Sequence, residues 1–324
     1  MKTGIHVFAS LVASVALALV SSSAPAQTFP SKPIRLIVPF PPGGGTDATA
    51  RVLAEALSDG PGWQIVVDNR PGATGRIGTV LAASAPPDGY TLLLGTAGPN
   101  AILPGVYSDL PYDAVKDFSP ISLIDSAEYN LVVHPSMPVK SVKDVIATAR
   151  RNPGQITFAS AGNFSVGHVA AEFFKQFAKV NMVHVPYKGG GPAVIATMSG
   201  ETALYFGGPS VVHQVKAGKL RAIASTGAKR SKIFPDLPTV AETLPGYEIA
   251  QWVGVLAPAG TPSDIVSSLH TTIVNAVSTP KVTQRFAAMG TNRIGNSPEE
   301  FAAHIKAEIA KWRKVLKGSS APPR

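Results

Sequence analysis

Residues 34–57 read IRLIVPFPPGGGTDATARVLAEAL. An apolar run is followed by prolines, three successive glycines and then a helical pattern. The run, bounded by turn residues, predicts a buried strand. Leu53 and Leu57, four apart, share one face of a helix over 46–57. Thr46 stands where a cap belongs, and Asp47 suits the positive end. A plain connector between strand and helix needs few residues and one flexible position. Gly43, Gly44 and Gly45 add backbone entropy to that cost. Close approach of the main chain to a bound group would explain them.

The same alternation continues outward. QIVVD, TLLLG and PISLI read as further strands, with a helix near 75–85 between the first two. From Glu128 a second group begins: YNLVVHP, QITFAS, NMVHVPY, ALYFGG and LRAIAST, with helices starting at Ser141, near Asn163, at Pro192 and at Pro209. Ser141 and Asp144 have capping-box spacing. Apolar strands alternating with helices predict parallel sheets covered on both faces. After YEIAQWVGVLAPAG, one long extended run, three helical stretches close the chain, the last opened by Ser297, Pro298 and Glu300. No flexible linker separates the two groups. The expected fold is therefore α/β and two-lobed, the chain leaving the first lobe near 125–128 and returning along 247–255. This assigns residues 27–126 and 248–324 to the first lobe and 127–247 to the second.

Composition sets limits on function. The chain has 324 residues, is 45 % apolar and only 15 % charged, which suits a folded protein with a real core. Its start carries Lys2, an apolar run over 7–20, then small residues with Ala24 and Ala26 as an A-x-A pair. That order is a secretory signal over residues 1–26, cleaved before Gln27; a membrane anchor would need a longer run. With no cysteine, disulfides, thiol catalysis and thiolate metal sites are excluded. The formal net charge is +9, but the basic residues are scattered. Export and this scatter argue against nucleic acid, and a mild positive field favours anionic small molecules.

Open α/β sheets bind ligands beyond the carboxyl ends of their strands. Here those ends lead into PPGGGTD, RPGATGRIG, TAGPN, ASAGNFSVGH, KGGGPA and GGPS. Each offers backbone N–H groups, most at a helix start, where anions bind. One such contact contributes roughly 0.3–1 kcal/mol when exposed and up to ~2 when partly buried. Several converging could reach micromolar affinity, about −8 kcal/mol.

The ordered series PSKPIRLIVPFPPGGGTDATAR, VVDNRPGATGRIG, PPDGYTLLLGT, HVPYKGGGPA, VKAGKLRAIASTGAKRS, FPDLPTVAE and VGVLAPAGTP resembles the Bug family over essentially the whole chain after the signal. These are extracytoplasmic solute receptors of tripartite tricarboxylate transporters. The resemblance implies a two-lobed periplasmic-binding-protein fold of the Venus-flytrap, type II-like kind with two crossover strands. It implies capture of a small organic carboxylate in the periplasm, delivery to membrane transporter subunits, and no cofactor. The first-lobe turns would cradle one carboxylate through Phe40, Gly44, Gly45, Thr46 and Asp47, and through Ala73, Thr74 and Gly75, with Thr96 beside them. From the second lobe Ser160, Asn163, Phe164, Ser165 and His168, then Tyr187 and Gly189, then Gly207 and Gly208 would meet the other end. Action as a monomer is expected.

Two departures from the family pattern bear on the solute. Phe164 stands where a small residue is usual, and Ala203 where an aspartate is common. An acidic group would suit an amino group on the ligand, so its absence favours a carboxylate with an apolar or aromatic body, held against Phe40, Phe164 or Tyr187. Phe164 packing inward is the competing reading.

Enzymatic readings fit less well. NFSVG lacks the first glycine of a nucleophile elbow, so an exported esterase using Ser165 is the alternative of another class; a receptor for a signalling sensor is a third. Ser165 either caps a helix or donates to a ligand oxygen. His168, three residues on, lines the cleft or lies in the core or on the surface. The seven histidines show no metal-ligand spacing, GGGTD lacks the G-K-[ST] of a phosphate loop, and GATGRIG has the wrong spacing for a dinucleotide. Asp47 serves either as a first-turn acid or as an acceptor that orients the glycine turn.

Overall fold

The computed structural model describes residues 29–231 and 234–316; the secretory signal expected over 1–26 lies outside them. Among the described residues eleven strands form two sheets. The first has the order β11-β4-β10-β3-β1-β2, built from β1 (Ile34–Val38), β2 (Ile65–Asn69), β3 (Thr91–Thr96), β4 (Phe118–Glu128), β10 (Ala250–Pro258) and β11 (Asn292–Arg293). The second has the order β7-β6-β8-β5-β9, from β5 (Asn130–Val133), β6 (Thr157–Ser160), β7 (Val183–Pro186), β8 (Leu204–Gly207) and β9 (Arg221–Ser225).

The helices in chain order are α1 (Gly45–Asp59), α2 (Arg76–Ala83), α3 (Leu103–Val106), α4 (Val142–Arg151), α5 (Val166–Ala178), α6 (Gly190–Met198), α7 (Val212–Lys216), α8 (Ser263–Val277), α9 (Pro280–Met289) and α10 (Pro298–Leu316). The core strands are buried on both faces, which is why they read as continuous apolar runs. In β1, Ile34, Leu36, Ile37 and Val38 are all sealed.

The sheets are mixed rather than parallel throughout. β1 pairs in parallel with β2 and β3, and β6 with β7 and β8. β10 is antiparallel to β3 and β4, and β5 to β8 and β9. The reason is the double crossing. β4 carries the chain out of the first sheet and β10 brings it back, so β10 and β5 each begin where their neighbours end. The second crossing is tied by Ile249 N–H to Thr226 O at 2.9 Å and by Thr226 Oγ1 to Ile249 O at 2.6 Å.

Two local details differ from the sequence reading. α1 starts one residue before Thr46, with Gly44 in extended conformation as its cap residue and no capping side chain. The flexible glycines reach the helical first turn themselves, so Thr46 lies inside that turn and does not cap. Beyond β3 the segment TAGPN is no simple turn: a π-turn at Gly98–Ile102 runs directly into α3. It is pinned from a distance, because Tyr112 Oη donates to Pro99 O at 2.5 Å. Trp312 of α10 lies so close that a Cβ on Gly105 would sit 2.9 Å from it. The expected box at Ser297 forms, Glu300 N–H donating to Ser297 Oγ at 3.2 Å and Ser297 N–H to Glu300 Oε2 at 2.9 Å, while at Ser141 the side chain caps Asp144 N–H at 3.1 Å and the Asp144 carboxylate takes Lys140 N–H instead.

Candidate functional site

Three turns at the carboxyl ends of β1, β2 and β3 meet at Gly75. A Cβ there would lie 3.1 Å from Pro99, 3.3 Å from Pro39 and 3.4 Å from the Phe40 ring, and its φ of +91° also favours glycine. Ala73 and Thr74 precede it with φ of +47° and +58°. Left-handed backbone at non-glycine residues costs about 1–2 kcal/mol per residue, and such strain gathers at functional turns.

Asp47 is the clamp of the glycine turn. It is buried, and its Oδ2 accepts Gly43 N–H at 3.0 Å and Arg51 Nε at 2.9 Å. Asn69 Nδ2, at the end of β2, donates to Asp47 Oδ1 and to Phe40 O, each at 3.0 Å. Burial pushes the carboxyl up, but Arg51, Gly43 N–H and Asn69 together outweigh it and hold it below the usual range. Both roles weighed for Asp47 hold: it is an acid in the first turn of α1, and it orients the glycine turn. Gly43 N–H is thereby committed inward. The N–H groups of Gly45, Thr46 and Asp47 open α1, with no side chain capping them, and Gly43, Gly44 and Gly45 are exposed.

The second sheet presents a matching set. Tyr187 N–H donates to Ser160 O at 3.0 Å and Gly189 N–H to Ala161 O at 3.2 Å, joining the turns after β6 and β7. Ser160 is sealed; its Oγ bonds to Gly162 N–H, Gly162 O and, at 2.6 Å, His184 Nε2. Gly207 and Gly208 close β8, with the Tyr129 ring 3.1 Å from a Cβ at Gly208.

The facing turns of the two halves touch. Thr74 Oγ1 donates to Asn163 O at 2.8 Å, and the rings of Tyr107 and Phe164 meet edge to face at 5.4 Å. The turns after β2 and β6, from different sheets, therefore face each other.

Not every expected residue is open to this cleft. Phe164, at φ +59°, is only 8 % exposed, its ring edge-on both to Tyr107 of the other half and to His168, so it is buried where the halves meet. His168 is 4 % exposed, its Nδ1 accepts Phe164 N–H at 2.9 Å, and its ring stacks on His184 at 4.0 Å. Burial, then the His184 and Lys175 charges, pushes its pKa down to about 3. It shapes the turn from beneath. Thr96 is sealed as well, its N–H donating to Asn100 Oδ1 at 3.0 Å. Tyr187 has its hydroxyl bound to Glu201 at 2.7 Å.

Ser165 Oγ caps α5, accepting His168 N–H, and no imidazole bonds to it. The serine–histidine pair near the turns, Ser160 with His184, is closed to solvent on the serine side. Sequence reading missed Asn69, Tyr107, Tyr129 and Tyr205. Asn69, directly before RPGATG, had a signal in its place at a strand end; Tyr107 had none.

The sequence matches the profile described as tripartite tricarboxylate transporter family receptor over residues 49–320. It is 37 % identical over 312 residues to protein BugT of Bordetella pertussis, covering 95 % of each chain. An R. palustris protein solved with adipate superposes with a TM-score of 0.85 at 39 % identity, covering 89 % of this chain and 97 % of that one. MatC of Rhodopseudomonas palustris, with bound malate, gives 0.83 at 29 %, covering 89 % and 100 %. Among the described residues no helix is long and apolar enough to cross a membrane. With family match, fold and facing turns in agreement, the chain belongs to the tripartite tricarboxylate transporter receptors, the Bug-type periplasmic solute receptors.

Proposed function

We propose that this chain is a periplasmic receptor that captures a small organic carboxylate between its two lobes, 27–126 with 248–324 and 127–247. It binds the solute without transforming it and presents it to transporter subunits in the membrane. The first carboxylate is held by main-chain N–H groups of residues 44–47 and of 73 and 74, the Gly75 N–H being given to Gly72 O at 2.9 Å. The turns at 160–165, 187–190 and 207–208 close over the remainder, with Phe40 as an apolar wall for the body. The observation that supports this most is the bond from Thr74 Oγ1 to Asn163 O, because it brings the two sets of turns onto one cleft. The adipate and malate seen in relatives support a carboxylate of this size. Closure is driven only by the solute's greater affinity for the closed form.

The test is denaturing release and mass spectrometry of whatever copurifies, followed by calorimetric titration with adipate, malate, benzoate and aspartate. A carboxylate binding in the micromolar range is expected, with aspartate weakest. Preference for an amino acid, or turnover of a chromogenic ester without carboxylate binding, would defeat the reading.

A further inference from the structure

Phe164 is held in a backbone conformation that large side chains avoid, and its ring is set between the two halves. Its φ of +59° lies in the left-handed region, where a bulky residue is an outlier. Three bonds fix the turn in that shape. Phe164 N–H donates to His168 Nδ1 at 2.9 Å, Ser165 N–H to Gly162 O at 3.2 Å, and Thr74 Oγ1 from the other half to Asn163 O at 2.8 Å. The ring then stands edge-on to His168 at 5.7 Å and to Tyr107 at 5.4 Å. His168 stacks on His184 at 4.0 Å, and His184 on Phe158 of β6 at 5.0 Å. A column of five rings therefore runs from the core around β6 across to Tyr107, the residue that follows α3.

Tyr107 alone in this column belongs to the other half. Phe164 is 8 % exposed with Tyr107 against it, so parting the halves would bare its ring. Burial of apolar surface favours the closed arrangement, and an edge-to-face pair adds to what the area alone gives. Neither contribution depends on what lies in the cleft. The neighbouring bond, from Thr74 Oγ1 to Asn163 O, is likewise made between protein and protein.

We propose that Phe164 and Tyr107 form a latch that steadies the closed receptor whatever solute it holds, so that one ring contact multiplies every solute's affinity by the same factor and slows its release. This rests on the carboxylate-receptor reading and assigns the Phe164 ring to the contact between the lobes, not to the body of the solute. The solute's preference still drives closure; the latch lessens what that preference must supply. Because the contact exists only where the halves meet, its loss acts on departure. Release quickens, while entry into a chain that stands open more of the time does not slow.

The experiment is calorimetric and stopped-flow titration of the full chain, Phe164→Gly, Tyr107→Ala and the double variant with adipate, malate and benzoate. Glycine suits the left-handed position, and Tyr107 lies outside the turn, so the two variants remove the contact from opposite sides. Each is expected to weaken every carboxylate that the wild-type chain binds by one common factor, about two- to tenfold. Release should quicken by that factor with entry no slower, and the double variant should lose no more than either alone. A factor that differs among solutes, additive losses, slower entry or unchanged affinity overturns the inference and leaves the receptor reading intact. Should no carboxylate bind, the receptor reading falls and scattering decides the latch by itself. Solute-free Phe164→Gly must then show a larger radius of gyration than the wild-type chain, and an equal one overturns the latch. Should one variant fail to fold, the other decides by the same common factor.

Discussion

Acid should loosen this protein through a pair of stacked imidazoles, while one buried carboxyl works against the loss. His168 and His184 lie with centroids 4.0 Å and planes 18° apart. Burial first, then neighbouring positive charge, lowers them from 6.5 to about 3 and about 4. The unfolded chain takes up both protons near 6.5. Their stabilisation is thus complete above that pH and is lost as pH falls toward 4. Asp125 has the opposite sign. It is 1 % exposed, with Thr49 Oγ1 donating to it at 2.8 Å, and burial raises it from 3.8 to about 7. In the same window its folded form holds a proton that the unfolded chain has released.

Each proton of difference changes stability by about 1.4 kcal/mol per pH unit. Two imidazoles less one carboxyl leave a net loss of about 1.4 kcal/mol for each unit of acidification below pH 6.5. His304, lowered by burial, adds to the same side. Urea unfolding followed by circular dichroism in steps between about pH 5 and pH 6.5 measures this slope. His184→Phe keeps a stacked ring that cannot titrate and should flatten the slope by about one proton's worth. Asp125→Asn should steepen it by about the same amount. If both variants move the slope in one direction, or neither moves it, the assignment of these protons is refuted. Solute binding should hold over the same range, because His168 stays neutral in the folded chain and keeps accepting Phe164 N–H.

Two further outcomes test the cleft. Asp47→Ala removes the acceptor of Gly43 N–H and Asn69 Nδ2. It should cost about 1–3 kcal/mol of stability and at least about tenfold in carboxylate affinity by calorimetry; unchanged affinity would show that the glycine turn is not part of the grip. Thr74→Val deletes the bond to Asn163 O, a contribution of about 0.5–1.5 kcal/mol to closure. Small-angle scattering of the solute-free variant should show a larger radius of gyration, and no change would mean that this contact does not hold the lobes together.

The regular elements were readable because burial on both faces leaves apolar runs, and because Ser141 and Ser297 cap with their own side chains. What escaped depends on distant partners. The segment with Gly98, Pro99, Pro104 and Gly105 is helical since Tyr112, just beyond it, and Trp312, near the other end of the chain, hold it. The inward turn of His168 was hidden because Val166–Ala171 are all buried; a three-residue spacing names a face only when one face is wet. Tyr129 and Tyr205 sit inside YNLVV and ALYFGG, where an aromatic ring looks like ordinary strand packing. Only the lack of a partner for each hydroxyl sets them apart, and a sequence carries no record of that.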